Sequence, residues 1–317
     1  MRLTLRAAPG PEIEYSRQGR LAKVVWVTDH DPRPVERDSR GILDPWLLRQ
    51  RVRLTRYPPT PALEGLVDRF WAVAWDLPDG TEHRQQVLTH PGANLSVGHA
   101  DGTGDGPAAA PVEARLNGVA RGLTTRTLVG QGWTVAAMTR PGGLGAFVVG
   151  SAADFTDRVV PLGPAIGTDE AALLRDLAAQ PDAAARAGRL AQALEQAVDP
   201  GRAGPARQVA EVARLAETDR SVRRLRDLCE RAGVTERTLQ RLFLQYAGVS
   251  PTWVLRRYRL LEVAETVRAG GPVPWAAVAA DLGYADQAHL ITDFRAATGQ
   301  TPAAYAAAQS PGAPGPE

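Results

Sequence analysis

The sequence predicts an α+β protein whose two kinds of structure are segregated along the chain. A β-barrel-like (cupin-like) first half is expected to precede an all-α second half with two helix-turn-helix units. Three observations predict this. Before residue 167, short apolar stretches alternate with a two-residue period and are punctuated by Gly, Pro and Asp. After Gly167 the alternation gives way to Ala- and Leu-rich runs of helical period. From residue 205 onward, helix start signals stand at each expected boundary.

Taken in order, residues 1–40 contain Pro9-Gly10-Pro11 and the charged, proline-broken run Asp29–Arg40, so a weakly structured extension is expected. Residues 41–167 read as a β-rich sensor domain. Trp71, Val73 and Trp75 alternate with Ala72 and Ala74, and Val129, Gln131, Trp133, Val135 and Ala137 repeat the pattern. Asn94–Val97 and Arg115–Ala120 read as further strands, with turns at Pro78-Asp79-Gly80, Asp101-Gly102 and Pro141-Gly142-Gly143. Gly102–Pro111 reads as a surface loop. Residues 168–204 form a helical pair, Asp169–Ala179 and Asp182–Val198, and then a linker, Asp199–Pro205. Leu190, Leu194 and Val198 share one helical face, and that stripe makes the pair a candidate homodimer surface.

Residues 205–308 read as seven helices: Ala206–Glu217, Val222–Ala232, Glu236–Tyr246, Pro251–Arg268, Pro274–Leu282, Gln287–Thr298 and Pro302–Ala308. Ser221, Thr235, Ser250, Asp286 and Thr301 stand as N-caps, and Pro251 and Pro302 occupy first helical positions, where no N–H is needed. Residues 309–317 are expected to be a disordered tail.

Composition bounds the function. The chain has 317 residues, with 37 Lys+Arg against 35 Asp+Glu and a formal charge of +2. Near-neutrality argues against a non-specific nucleic-acid coat or a polybasic membrane binder. Lys23 is the only lysine, so the cations are almost all guanidinium groups. Cys229 is the only cysteine, which excludes an intramolecular disulfide and a cysteine-based zinc site. The N-terminus lacks a signal-peptide core, and the apolar-leaning stretch Pro141–Ala153 is too short to span a bilayer. A soluble cytoplasmic protein is expected, with no membrane partner. His83, His90 and His99 lack metal-ligand spacing, and no nucleophile elbow or phosphate-loop signature is present. No metal, no cofactor and no catalytic residue is therefore assigned, and the chain is not read as an enzyme.

The constellation that carries function lies in the helical half. Leu228, Cys229, Ala232, Gly233, Val234, Leu239 and Leu242 have the spacing of two short helices crossing steeply at a tight turn. Cys229 is the small residue at the crossing, and Gly233 is the residue that tolerates positive φ. Val278, Ala279, Leu282, Gly283, Tyr284, Leu290 and Phe294 repeat the pattern with a turn one residue longer. Between the two units, Val254, Tyr258, Leu261, Ala264 and Val267 form one stripe of a long helix. If that helix fixes a separation of about 34 Å, both second helices enter successive major grooves on one DNA face. Arg237, Gln240 and Arg241 are the side chains expected to read bases from the first unit, since Arg pairs bidentately with guanine and Gln with adenine. Gln287, Ala288, His289 and Thr292 are their counterparts in the second. Arg223, Arg224, Arg226, Arg256, Arg257 and Arg259 are candidates for phosphate contacts, which position a protein without reading sequence.

The string Leu228-Cys229-Glu230-Arg231-Ala232-Gly233-Val234-Thr235-Glu236-Arg237-Thr238-Leu239-Gln240-Arg241-Leu242-Phe243 resembles the first unit of AraC/XylS-family transcriptional regulators. So does Gly283-Tyr284-Ala285-Asp286-Gln287-Ala288-His289-Leu290, continuing through Phe294 to Gly299-Gln300-Thr301-Pro302, for the second. The resemblance implies an activator that binds double-stranded DNA and contacts RNA polymerase. Thr292 departs from it, because relatives often carry Arg there. In the first half, Tyr57-Pro58-Pro59, Phe70-Trp71, His90-Pro91-Gly92-Ala93-Asn94-Leu95, Gly118-Val119 and Arg140-Pro141-Gly142-Gly143 resemble an uncharacterised β-rich domain found in a subset of such regulators. That implies a small-molecule effector or a dimerisation role, and Trp71, Trp75 and Trp133 are weighed as lining an effector pocket against packing in the core. The alternative function is a small-molecule-binding or enzymatic β-barrel with a DNA-tethering helical domain.

Overall fold

The computed structural model describes residues 12–15, 21–25, 42, 51–99, 111–268 and 273–308. Within the expected extension, β1 (Glu12–Tyr15) and β2 (Leu21–Val25) pair antiparallel in a small unit of their own. The remaining residues of 1–40, most of the expected loop (102–110) and the expected tail (309–317) lie outside the described residues.

The β-rich half is built from β3 (Val52–Tyr57), β4 (Val67–Asp76), β5 (Glu82–Leu88), β6 (Asn94–His99), β7 (Val112–Asn117), β8 (Leu123–Val129), β9 (Gln131–Thr139) and β10 (Val159–Pro161). Six of them form one antiparallel sheet in the order β10-β7-β6-β9-β4-β3, and β5 and β8 form a separate ribbon. The arrangement is barrel-like but not closed, since β3 and β10 are the ends of the sheet among the described residues. Gly130, at φ 53, turns the chain from the ribbon into the sheet, which is why the alternation read through Val129 and Gln131 spans two sheets.

The two-residue period sorts the large sheet into two chemically different faces. Phe70, Ala72, Leu95, Val97, Ala114, Leu116, Val135 and Ala137 are buried on one face. They pack under α1 (Leu162–Ile166), α2 (Glu170–Ala178) and α3 (Ala183–Ala197), whose Leu173, Leu177, Leu190 and Leu194 complete the core. This corrects the expectation that the stripe on 168–204 is a homodimer surface: it is consumed within the chain, with Leu190 and Leu194 at 0% exposure. The opposite face carries Arg56, Trp71, Asn94, Ser96, Arg115 and Asn117 and lines a cavity beneath the ribbon.

The expected linker is also corrected. Asp199 caps a helix through Gly201 N–H at 2.8 Å, and α4 runs unbroken over Pro200–Thr218. Pro200 stands at the first helical position and Pro205 removes one hydrogen bond from the second turn, so the prolines begin this helix rather than interrupt the chain. The remaining helices are α5 (Leu225–Ala232), α6 (Glu236–Ala247), α7 (Pro251–Arg268), α8 (Trp275–Asp281), α9 (Gln287–Thr298) and α10 (Pro302–Ala308). They share one apolar core, which also takes in Leu88 and Val119 from the β-rich half. Ser221 does not cap α5, because its N–H and hydroxyl are both bound to Asp219. The helix starts three residues later than expected, where Asp227 accepts the N–H groups of Arg223 and Arg224, both at 2.8 Å. Among the described residues, no helix is long and apolar enough to cross a membrane.

Truncating Leu190 to Ala should cost ~2–5 kcal/mol in urea unfolding, the range for a fully buried leucine. Because the stripe faces the chain's own sheet, light scattering at equal concentration should give the same mass for Leu190→Ala as for the parent.

Candidate nucleic-acid interface

The first unit is α5, a turn at Gly233 and α6. Cys229 is 8% exposed at the crossing, and Gly233 adopts φ 65. The N–H of Val234 donates to the Cys229 carbonyl at 3.2 Å, closing the helix end. Thr235 then caps α6 by accepting the Thr238 N–H. The second unit repeats the device. Ala279 takes the crossing position, Gly283 adopts φ 73, and the Tyr284 N–H donates to the Ala279 carbonyl at 2.9 Å. Asp286 caps α9 through the His289 N–H at 2.8 Å, one residue further from its glycine than Thr235 is from Gly233.

These caps set which faces look outward. Leu239 and Phe243 are buried beneath α6, and Arg237, Gln240 and Arg241 are exposed together on its other side. Leu290 and Phe294 are buried beneath α9, leaving Gln287, Ala288, His289 and Thr292 exposed. The His289 ring stands edge-on to Tyr284 at 5.2 Å, and the Thr292 hydroxyl donates to the Ala288 carbonyl at 2.9 Å. Thr292 thus bonds to its own helix and presents its methyl, where Arg would reach outward. Leu244 was missed by sequence reasoning. It is 45% exposed and lies three residues beyond Arg241 on the same face, a spacing that was readable.

The phosphate candidates divide. Arg223, Arg224, Arg226 and Arg256 are exposed. Arg257 is 2% exposed and turned into the chain, so it is removed from the set. Its guanidinium donates to the Thr89 carbonyl at 3.3 Å and the Arg121 carbonyl at 2.5 Å, both in the β-rich half, and lies over the Trp253 ring. Burial pushes its pKa down to about 10, which still leaves it charged at neutral pH. Arg259 is half-buried, with its guanidinium on the Arg223 carbonyl and its pKa lowered by burial, so it braces the entry to α5.

Arg257 belongs to a pattern that composition concealed. Arg202 clasps the carbonyls of Gly145 and Gly150 at 2.6 and 2.7 Å. Arg207 clasps those of Glu64 and Ala62, both at 2.9 Å. Each joins a helix of the second half to a turn of the first. The planar fork of guanidinium suits two carbonyls at once, which an ammonium group does not.

The cavity between the sheet and the ribbon has a volume of about 620 Å³. Trp71 lines it and is oriented by donating to Asn94 Oδ1 at 3.0 Å. Asn117 donates to Ser96 Oγ at 3.0 Å and accepts from Arg126 at 2.5 Å, forming a polar floor. Trp75 packs instead with Val52 and Leu77, and Trp133 lies against the other face beneath Arg186. Among the described residues, no three His, Cys, Asp or Glu side chains gather as a metal-ligand set.

Residues 228–308 match a family model described as a helix-turn-helix domain. The C-terminal segment is an AraC-type helix-turn-helix domain. This helix-turn-helix domain makes the helical half the DNA-binding module of a transcription regulator. Residues 55–161 match a domain of unknown function, DUF6597. No curated protein matches the chain. Among solved structures, the chain is similar to ToxT from Vibrio cholerae at 10% identity and a TM-score of 0.36, over 81% of this chain and 97% of that one. It is similar also to ToxT of the same organism with an unsaturated fatty acid bound, at 12% identity and a TM-score of 0.34, over 83% and 96% of the two chains.

Cys229 has a structural role in the helix-turn-helix domain. Burial, with Glu236 and Glu230 nearby, pushes its thiol pKa up, and only the thiolate is nucleophilic. In the folded protein at pH 8 a thiol reagent should leave Cys229 unmodified over a period in which the urea-unfolded chain reacts fully. Rapid modification of the folded chain would contradict the buried crossing.

Proposed function

We propose that this chain is a sequence-specific transcriptional activator that inserts α6 and α9 into successive major grooves of double-stranded DNA. The observation that carries the reading is the pairing of two equivalently built units on one rigid helix. Each exposes a polar face at the capped start of its second helix, where base edges are reached. Arg237, Gln240 and Arg241 read bases from α6, and Gln287, Ala288, His289 and Thr292 read from α9. Arg223, Arg224, Arg226 and Arg256 hold phosphates. Thr292 offers a methyl contact in place of a charged hydrogen bond, so α9 contributes less to affinity than α6. Contact with RNA polymerase follows from the family resemblance. The cavity under the β5–β8 ribbon takes a small-molecule effector. Its wall of Trp71, Leu54, Val73 and Met138 suits an apolar body, and its floor of Asn94, Ser96 and Asn117 suits a hydrogen-bonding end.

Selection of bound DNA from a random pool, followed by affinity measurement on the selected site, tests the reading. Arg241→Ala should cost ~1–3 kcal/mol and relax preference at one base position. An unchanged affinity and preference would remove Arg241 from the reading face.

Salt dependence separates the arginines. Arg256→Ala should lower the slope of log affinity against log salt by about 0.9, since one phosphate contact is lost. Arg257→Ala should leave the slope unchanged, because that group faces carbonyls inside the chain. A lowered slope for Arg257→Ala would restore it as a phosphate contact.

A further inference from the structure

One layer of structure separates the cavity from the DNA-reading helices. It consists of two loops, Gly118–Arg121 and Phe155–Arg158, laced together around Asp157. Gly118 N–H donates to the Arg158 carbonyl at 2.9 Å, and Asp157 N–H to the Val119 carbonyl at 3.0 Å. The Asp157 carboxylate accepts the Arg121 N–H at 2.7 Å and its guanidinium Nε at 2.6 Å. A Cβ on Gly118 would lie 1.7 Å from the Phe155 carbonyl oxygen, so only glycine permits this approach. Asp157 itself has φ 57 and is the one non-glycine residue with positive φ among the described residues. Such a conformation persists only where the surroundings over-determine it, and here Arg121 does so.

The layer touches both sides. Gly118, Ala120, Asp157 and Arg158 border the cavity. On the opposite side, the Thr156 hydroxyl donates at 2.6 Å to the carbonyl of Gly248, the left-handed C-cap of α6. A Cβ at Gly248 would come within 2.8 Å of both Ala152 O and Thr156 Oγ1, so the helix end is seated tightly. The Arg121 carbonyl accepts from Arg257 on α7. Asp157, on the cavity wall, is therefore two hydrogen bonds, through Arg121, from the helix that joins the two units, and one peptide and one hydrogen bond, through Thr156, from the end of α6.

Building on the effector reading of the cavity, we infer that this loop pair is a relay between the cavity and the reading helices, with Asp157 and Arg257 as its positioning residues. A ligand that competes for the Asp157 carboxylate or displaces Arg158 frees Arg121. Freed Arg121 shifts the carbonyl held by Arg257, and Asp157 leaves its left-handed conformation and draws Thr156 from the end of α6. The route is a contiguous set of hydrogen bonds with one conformationally constrained residue, Asp157, at its centre.

Coupling between sites is reciprocal, so the relay is testable without the effector: DNA on the reading helices must alter the cavity. Ser96 lies on the cavity floor, and Ser96→Cys gives a thiol there. The modification rate by methyl methanethiosulfonate, above that of the parent chain, is measured with and without the DNA site selected from the random pool. The rate should change severalfold on DNA binding, as the fraction of chains with the Asp157–Arg121 contact open changes. In Asp157→Gly, which accepts φ 57 but lacks the carboxylate, the DNA dependence should vanish. In Asp157→Asn, which also tolerates that φ, it should weaken. A parent-background rate that DNA leaves unchanged, although the DNA is bound, overturns the relay. Full DNA dependence retained in both Asp157 variants overturns the role of Asp157. A chain that binds no DNA site overturns the DNA-reading proposal itself, and the relay falls with it.

Discussion

The arrangement rests on α7. Its stripe of Val254, Tyr258, Leu261, Ala264 and Val267 is buried throughout, and the core it anchors contains Leu239 and Phe243 of the first unit and Leu290, Phe294 and Tyr305 of the second region. A single close-packed core of this kind resists displacement of one unit against the other. The separation of α6 and α9 is thus a property of helix length and side-chain fit. Each reading face then needs only local devices: a small residue at the crossing, a glycine in the left-handed region and an oxygen at the N-cap.

The two halves are joined by different chemistry. Leu88 and Val119 enter the helical core, and Ala203, Ala206 and Tyr246 pack on the core of the first half, while Arg202, Arg207 and Arg257 cross the join to backbone carbonyls. A guanidinium group supplies these carbonyls with two donors in fixed geometry. Such contacts are directional, so they define one setting of the halves and are lost over a short displacement. A regulator whose ligand site and reading helices lie in different halves has use for a join of that character. The arginine-for-lysine bias of the composition equips these positions as well as those proposed to face DNA.

Much of this was legible in the sequence, and the failures have physical causes. The two helix-turn-helix units were readable because each constraint is local: Cys229 and Gly233, or Ala279 and Gly283, act within a few residues. Arg257 reads as a surface cation beside Arg256 and Arg259, although helical arithmetic places it on the buried stripe, three residues after Val254 and four before Leu261. The Asp199–Pro205 segment looked like a linker because proline and glycine usually break helices, but Asp199 and Pro200 are also what a helix start requires. The stripe of Leu190 and Leu194 was visible. Amphipathicity states that a face is covered, not by what, and here the chain's own sheet covers it. Alternation along β4, β6, β7 and β9 identified which residues share a face, but the cavity needed the ribbon to be placed above that face.

Hydroxyl-radical footprinting of the full chain on its selected DNA site tests the central claim, that one rigid helix sets two reading helices at the spacing of the double helix. The account predicts two protected segments on one face of the duplex, about one helical turn or ~10 bp apart. It also predicts that Gln287→Ala weakens protection only in the segment read by α9. One protected segment, or two on opposite faces, would contradict it.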